Sequence, residues 1–279
     1  MKLISKIAAA ALSTGLIAST VVGATATAAP APAPKWHQLP VVYVSGSNDL
    51  SVTAQPVVDA LRAGGLDAYL FNVWDPSNPY TSPYLTVKGN SKRLATFVDG
   101  VLKRTGSKKV DLVSYSQGGL VERYYLKDFG GAAKTRATVI MSGMIKGSPF
   151  QTQAIKQGKC PPDSVKEFLP QGIKIPNPTP ACNEMAFGGK EITALNSPSE
   201  ALPGITYFNI TSKQETDAAP YDINLMNGPG TYTNLVTQDY CPNDPVYHLT
   251  MPHTPSVQSA VISALKTGKA HFTCMFGGR

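Results

Sequence analysis

The sequence predicts an α/β fold, a mostly parallel sheet with helices on both faces. Three observations carry this. Short apolar runs of strand length recur along the chain, as at Pro40–Val44, Val110–Val113 and Thr138–Met144. Several are apolar throughout rather than alternating, the pattern of strands covered on both sides. Stretches with helical apolar spacing stand between them, and strand–helix alternation is the signature of a parallel sheet. With 42% hydrophobic and 15% charged residues over 279 positions, the chain can build a substantial core.

Lys2 and Lys6 precede an apolar run from Ile7 to Val22, followed by the small residues Ala24 to Ala29. A charged start, a short apolar middle and an Ala-x-Ala end describe a secretory signal peptide, here residues 1–28. A membrane anchor needs a longer apolar run. Removing two lysines from a net charge of +7 leaves +5 for a secreted, extracellular mature chain without a transmembrane anchor. Residues 29–39 form an Ala/Pro-rich leader, and 40–279 read as a single domain. The basic residues are scattered in pairs such as Lys103/Arg104 and Lys108/Lys109, with no basic stripe interleaved with aromatics. Nucleic acid is therefore not an expected partner, and a monomer is expected.

Pro40–Val44 is a buried-type strand ending in the turn signal Ser45-Gly46-Ser47-Asn48. Val52–Ala63 has an apolar face and stops at Gly64-Gly65, and Leu66–Val73 reads as the next strand. Trp74–Tyr84 is rich in Pro, Ser and Asn and reads as loop. Leu94, Phe97, Val98, Val101 and Leu102 share one face of a helix, with Asn90 or Ser91 as its cap and Gly106 as its end. Thr138–Met144 and Ile205–Thr211 extend the sheet. Asn209-Ile210-Thr211 matches a glycosylation signal, but a buried strand is no place for a glycan. Thr254 as cap, Pro255 in the first turn and an apolar face from Val257 to Leu265 give a last helix. Between about 150 and 203 the alternation breaks into a Pro-rich insertion, suited equally to a lid, a binding wall or a surface excursion.

Cys160, Cys182, Cys241 and Cys274 have no Cys-x-x-Cys spacing for zinc, and in an exported chain disulfides are expected. Sequential pairing, Cys160–Cys182 and Cys241–Cys274, closes two moderate loops.

The chemistry centres on Val110-Asp111-Leu112-Val113-Ser114-Tyr115-Ser116-Gln117-Gly118-Gly119. A strand ends at Ser116, small residues follow, and Leu120–Lys127 reads as a helix. This is the strand–turn–helix of a nucleophile elbow, which exposes one hydroxyl at the top of a sheet. Ser114 stands where the usual pattern has glycine. Ser45–Asn48 and Ser116 both lie at carboxyl ends of strands, where open α/β sheets place their ligands. A serine hydroxyl needs a base, and the base needs a carboxylate to orient it. In elbow folds these follow in the order Ser, acid, His. Glu215 and Asp217 both follow the Ile205–Thr211 strand, and His248 and His253 both precede the last helix. The Gln117 N–H, opening the elbow helix, is a candidate oxyanion donor.

The chain from about Pro40 to Cys274 resembles the class 2 bacterial lipases and, still more, the lipase B type of fungal α/β-hydrolase. The resemblance rests on Ser114-Tyr115-Ser116-Gln117-Gly118-Gly119-Leu120-Val121, on Ser212-Lys213-Gln214-Glu215 and on the spacing from His248 through Ser256-Val257 to Leu265. It is weakest across Phe150–Pro203. It implies an α/β-hydrolase fold, tolerance of a hydroxyl residue at the Ser114 position, and a triad of Ser116, Glu215 and His248. Asp217 and His253 stand as the alternatives. Glutamate departs from the family's aspartate and adds one methylene to the reach of the hydrogen bond. The resemblance also implies Ser47 as the second oxyanion donor and a Cys241–Cys274 disulfide flanking the histidine loop. The implied activity is carboxylic-ester hydrolysis through an acyl-enzyme, by a lipase or esterase on an ester or lipid substrate, including one at a lipid–water interface. An acyltransferase and a non-catalytic binding protein on the same fold are the other readings. No cofactor or metal is called for, and no carboxylates stand at calcium-loop spacing.

Overall fold

The computed structural model describes residues 38–47, 49–75, 81–161, 176–216 and 218–277. The expected signal peptide, most of the leader, Asn48, Asp217 and the middle of the insertion lie outside the described residues.

Among the described residues six parallel strands, β1 (Val41–Val44), β2 (Ala68–Phe71), β3 (Val110–Tyr115), β4 (Thr135–Met141), β5 (Thr206–Thr211) and β6 (Thr231–Val236), form one sheet in the order β2-β1-β3-β4-β5-β6. Parallel neighbours need crossovers, which helices supply. On one face Val42, Val44, Leu112 and Ile140 pack with Leu94 and Val98 of α2 (Val87–Thr105) and Leu120 and Tyr124 of α3 (Gln117–Asp128). On the other, Val41, Tyr43, Val113 and Val139 pack with Val57 and Leu61 of α1 (Ser51–Ala63) and with Val257 and Val261 near the C-terminus. Every residue of β1, β3 and β4 is buried, so their apolar side chains point into the core on both faces of the sheet. The short α4 (Gly131–Lys134) joins α3 to β4.

Several boundaries differ from the sequence expectation, each for a physical reason. Helix α2 begins at Val87 rather than near Asn90, because Thr86 is its cap and accepts from the Gly89 N–H at 3.1 Å. Glu184, from a distant segment, accepts from the Val87 N–H at 2.5 Å and completes that end. Strand β4 runs over Thr135–Met141 instead of Thr138–Met144. Its polar start is tied down by Arg136, whose Nε donates to Asp111 of β3 at 3.0 Å. It stops at Met141 because Ser142 and Met144 have φ of 45° and 54°, outside the extended region.

The 150–203 stretch is not simply irregular. It carries α5 (Pro149–Lys156), α6 (Pro180–Met185) and α7 (Lys190–Asn196), with Cys160 and Cys182 disulfide-bonded. Strand β6 has no counterpart among the sequence expectations, because its half-exposed Thr-Tyr-Thr-Asn-Leu-Val gives no apolar run. After it come α8 (Thr237–Tyr240), a 3-10 turn over His248–His253 and the closing helix α9 (Pro255–Thr267). Thr254 stands at the cap position of α9, but its hydroxyl donates back to Thr250 O at 2.9 Å instead of capping. Asn209 is fully buried, and its amide donates to Asn224 O at 2.7 Å, so the glycosylation match is inert. Among the described residues no helix is long and apolar enough to cross a membrane.

Candidate active site

Strand β3 delivers Ser116 to the top of the sheet, and α3 starts at the next residue. Ser116 itself has φ 54° and ψ −128°, a conformation that costs about 1–3 kcal/mol and persists only where the surroundings enforce it. The surroundings are tight. A Cβ on Gly118 would press on Val44 O and Ser45 O, and one on Gly119 would meet the backbone of Gly143 at 2.6 Å. Only glycine lets the elbow helix approach β1 and β4 this closely.

The loop after β5 and the loop before α9 bring two further groups to Ser116. The Ser116 Oγ and His248 Nε2 are 2.9 Å apart, and His248 Nδ1 is 2.5 Å from Glu215 Oε2. The two loops are tied to each other: the Val246 N–H donates to Gln214 Oε1 at 2.7 Å, and the Ser212 hydroxyl donates to Val246 O at 2.5 Å. The Cys241–Cys274 disulfide anchors the start of the histidine loop to the tail behind α9. Close by, Asp244 accepts the N–H groups of Met275 and Phe276, both at 3.1 Å.

Burial works against a charged Glu215. The hydrogen bond and charge of His248, the Ala219 N–H and the Ser142 hydroxyl outweigh it, so the carboxyl is held below its ordinary range. The Ala219 N–H reaches Glu215 Oε1 at 3.2 Å. The added methylene of glutamate is accommodated, and its carboxylate meets the imidazole directly.

Ser116 and His248 line a cleft of about 330 Å³ with Ser47, Tyr84, Met144 and Phe150. Ser47 is half-buried on the loop after β1, and Gln117 is the first, fully buried residue of α3. The Gln117 amide donates to Pro83 O at 2.8 Å, which fixes the side chain and with it the first turn of the helix. His253 also lines the cleft, but the imidazole linked to Ser116 and to a carboxylate is that of His248. Asp217 cannot be placed relative to either, lying outside the described residues.

Three residues that sequence reasoning passed over belong to this assembly. Tyr84 lines the cleft; burial raises its pKa, and a hydrogen bond with Ser47 pulls the other way. Ser142, strained at φ 45°, faces Glu215. The Tyr115 hydroxyl donates to His248 O at 2.7 Å. Behind the elbow, Glu122 of α3 is fully buried and accepts the Thr138 hydroxyl. Burial pushes its carboxyl up to about 7, although the Thr138 and Ser114 hydroxyls and the Arg123 charge act in the opposite sense. Ser114, at the place where elbows more often carry glycine, is fully buried next to this carboxyl.

A parallel sheet with helices on both faces, a strained serine after its central strand, and acid and histidine loops after later strands together make the α/β-hydrolase fold. The family model of class 2 lipases matches residues 38–258, and the chain belongs to that family. Among solved structures it is similar to lipase B of Aspergillus fumigatus, with a TM-score of 0.63 and 15% identity over 85% of this chain and 54% of that one. The chain thus spans about half the length of the Aspergillus protein. It is also similar to a mature Bacillus licheniformis lipase (TM-score 0.54, 17% identity, 75% of this chain and 87% of that one). A third likeness is the monoacylglycerol lipase of Paleococcus ferrophilus (TM-score 0.51, 16% identity, 82% and 94%). At these identities the structural likenesses speak to the fold alone.

Proposed function

We propose that the chain is a secreted carboxylic-ester hydrolase of the lipase or esterase type, working through Ser116, His248 and Glu215. The observation that carries this is the continuous relay from Ser116 Oγ to His248 Nε2 at 2.9 Å and from His248 Nδ1 to Glu215 Oε2 at 2.5 Å. A serine hydroxyl becomes a competent nucleophile when an adjacent base takes its proton, and a buried carboxylate fixes the base's tautomer. Ser116 Oγ attacks the ester carbonyl while His248 Nε2 takes the proton. Glu215 keeps Nδ1–H oriented and stabilises the imidazolium. The developing oxyanion is received by the Gln117 N–H and by Ser47, because donors stabilise the transition state where charge grows during the attack. His248 returns its proton to the leaving alcohol. Water then attacks the acyl-enzyme, His248 again acting as base, and the acid is released.

Membership in the class 2 lipase family and a cleft with apolar side chains at its mouth support an ester or lipid substrate. Phe150 and Leu249 line the cleft yet are 60% and 74% exposed, which suits a substrate presented at a lipid–water interface. Two disulfides support an exported protein. The test is a chain-length series of p-nitrophenyl esters and triglycerides, assayed below and above each substrate's solubility limit. Hydrolysis is expected, with a burst of alcohol or phenol when deacylation is slow. No turnover of any ester would defeat the reading.

A further inference from the structure

We propose that Tyr115 is a positioning residue for the reaction: its hydroxyl holds the catalytic histidine by the backbone, and its ring spaces the histidine loop from the oxyanion loop. The proposal rests on the reading of His248 as the base.

Tyr115 ends the central strand β3 and immediately precedes Ser116. It is 4% exposed, and its hydroxyl donates to the carbonyl of His248 at 2.7 Å across 133 residues of sequence. Its ring lies against the imidazole, with centroids 5.2 Å apart and planes at 40°. On its other side it abuts the loop after β1, where a Cβ on Gly46 would come within 2.9 Å of Tyr115 Cδ1. One side chain therefore touches the histidine loop and the Gly46–Ser47 loop, and it is carried on the strand that carries the nucleophile.

A buried tyrosine hydroxyl requires some partner, and most find one without consequence for function. The difference here lies in what His248 otherwise has to hold it. Ser116 and Glu215 engage its ring nitrogens, and neither fixes its main chain. Its neighbours Tyr247 and Leu249 are 52% and 74% exposed, and the nearest buried tie before it is at Val246, held by Gln214 and Ser212. The Tyr115 bond ties the main chain of the base to β3, a strand buried along its whole length. Displacements of about 1 Å in a catalytic group cost about 10²-fold in rate, so an anchor of this kind acts on turnover more than on substrate affinity.

The experiment compares wild type, Tyr115→Phe and His248→Ala on one soluble ester. Each is also followed by thermal melting and by proton NMR of the downfield Nδ1–H signal between His248 and Glu215. Tyr115→Phe, which keeps the ring, is expected to lower kcat by about 10- to 100-fold with KM within about twofold. It should also broaden the downfield signal while the protein still melts cooperatively. A purely structural tyrosine would lower the melting temperature and leave the signal and kcat of the folded enzyme unchanged, which would overturn the proposal. Full activity in His248→Ala would instead overturn the reading of His248 as the base, so the two failures are told apart.

Discussion

Ser116 Oγ and His248 Nε2 stand 2.9 Å apart although 132 residues separate them in the chain. The meeting is built from opposite sides of the molecule's order. Ser116 comes from a fully buried central strand and is held in strained φ/ψ by glycines that let α3 close on β1. His248 comes from a 3-10 turn late in the chain, tied to the acid loop by Gln214 and Ser212 and to the C-terminal tail by a disulfide. Each of these supports can be removed singly.

Glu215→Gln keeps the size of the side chain and removes its charge. Turnover of a short-chain ester should fall by about 10²- to 10⁴-fold, since the amide no longer selects the tautomer with Nδ1–H. Asp217→Asn should leave turnover within about twofold. Because the folded-state pKa of Glu215 is depressed, its contribution to stability is present above the unfolded value near 4.5 and is lost as pH falls through the folded one. The stability advantage of wild type over Glu215→Gln, read by urea melts, should therefore vanish in acid.

Glu122 has the opposite sign. Its carboxyl titrates at about 7 in the folded protein against 4.5 as the ordinary value. Stability contributed by the protonated form is fully present below pH 4.5 and is lost as pH rises through about 7. The full difference is about 3 kcal/mol. Glu122→Gln imitates the neutral acid at every pH, so its stability relative to wild type should rise between pH 4 and pH 9. Parallel denaturation curves for the two proteins over that range would contradict the account.

Gly118→Ala tests the close approach at the elbow. Its Cβ would run into two backbone carbonyl oxygens, those of Val44 and Ser45, neither of which is a flexible side-chain end. Overpacking of this kind costs about 1–3 kcal/mol and displaces the backbone. Both thermal stability and turnover should drop. Gly130→Ala is a useful contrast, with φ 75° but open space around its Cβ, so it should affect stability alone.

Cys241→Ser with Cys274→Ser opens a loop of 33 residues. The chain-entropy model gives a cost of about 3–4 kcal/mol for that length. The same change frees the start of the histidine loop, so turnover should fall in protein that is still folded, as judged by circular dichroism.

Much of this arrangement is legible in the sequence because burial imposes it locally. β1, β3 and the Leu94–Leu102 face of α2 announce themselves by apolar spacing, and the elbow by its serine and glycines. What escapes is set by partners far away in sequence. Thr86 caps α2 with help from Glu184, and β4 starts at Thr135 because Arg136 reaches Asp111. β6 is an edge strand with polar residues facing water, so no apolar run marks it. Within the site, the residue types narrowed the base to two histidines and the acid to two carboxylates. Only spacing resembling a known family separated His248 from His253, and the fold alone brings Tyr115, Ser142 and Tyr84 to them.

The central claim is that Ser116 is a nucleophile activated by His248, and active-site labelling tests it most directly. A fluorophosphonate probe is incubated with wild type and with His248→Ala, and the modified peptide is mapped by mass spectrometry. The account predicts one adduct per chain, on Ser116, formed at a rate that falls by orders of magnitude when His248 is replaced. An unlabelled Ser116, or equal labelling rates in the two proteins, would contradict it.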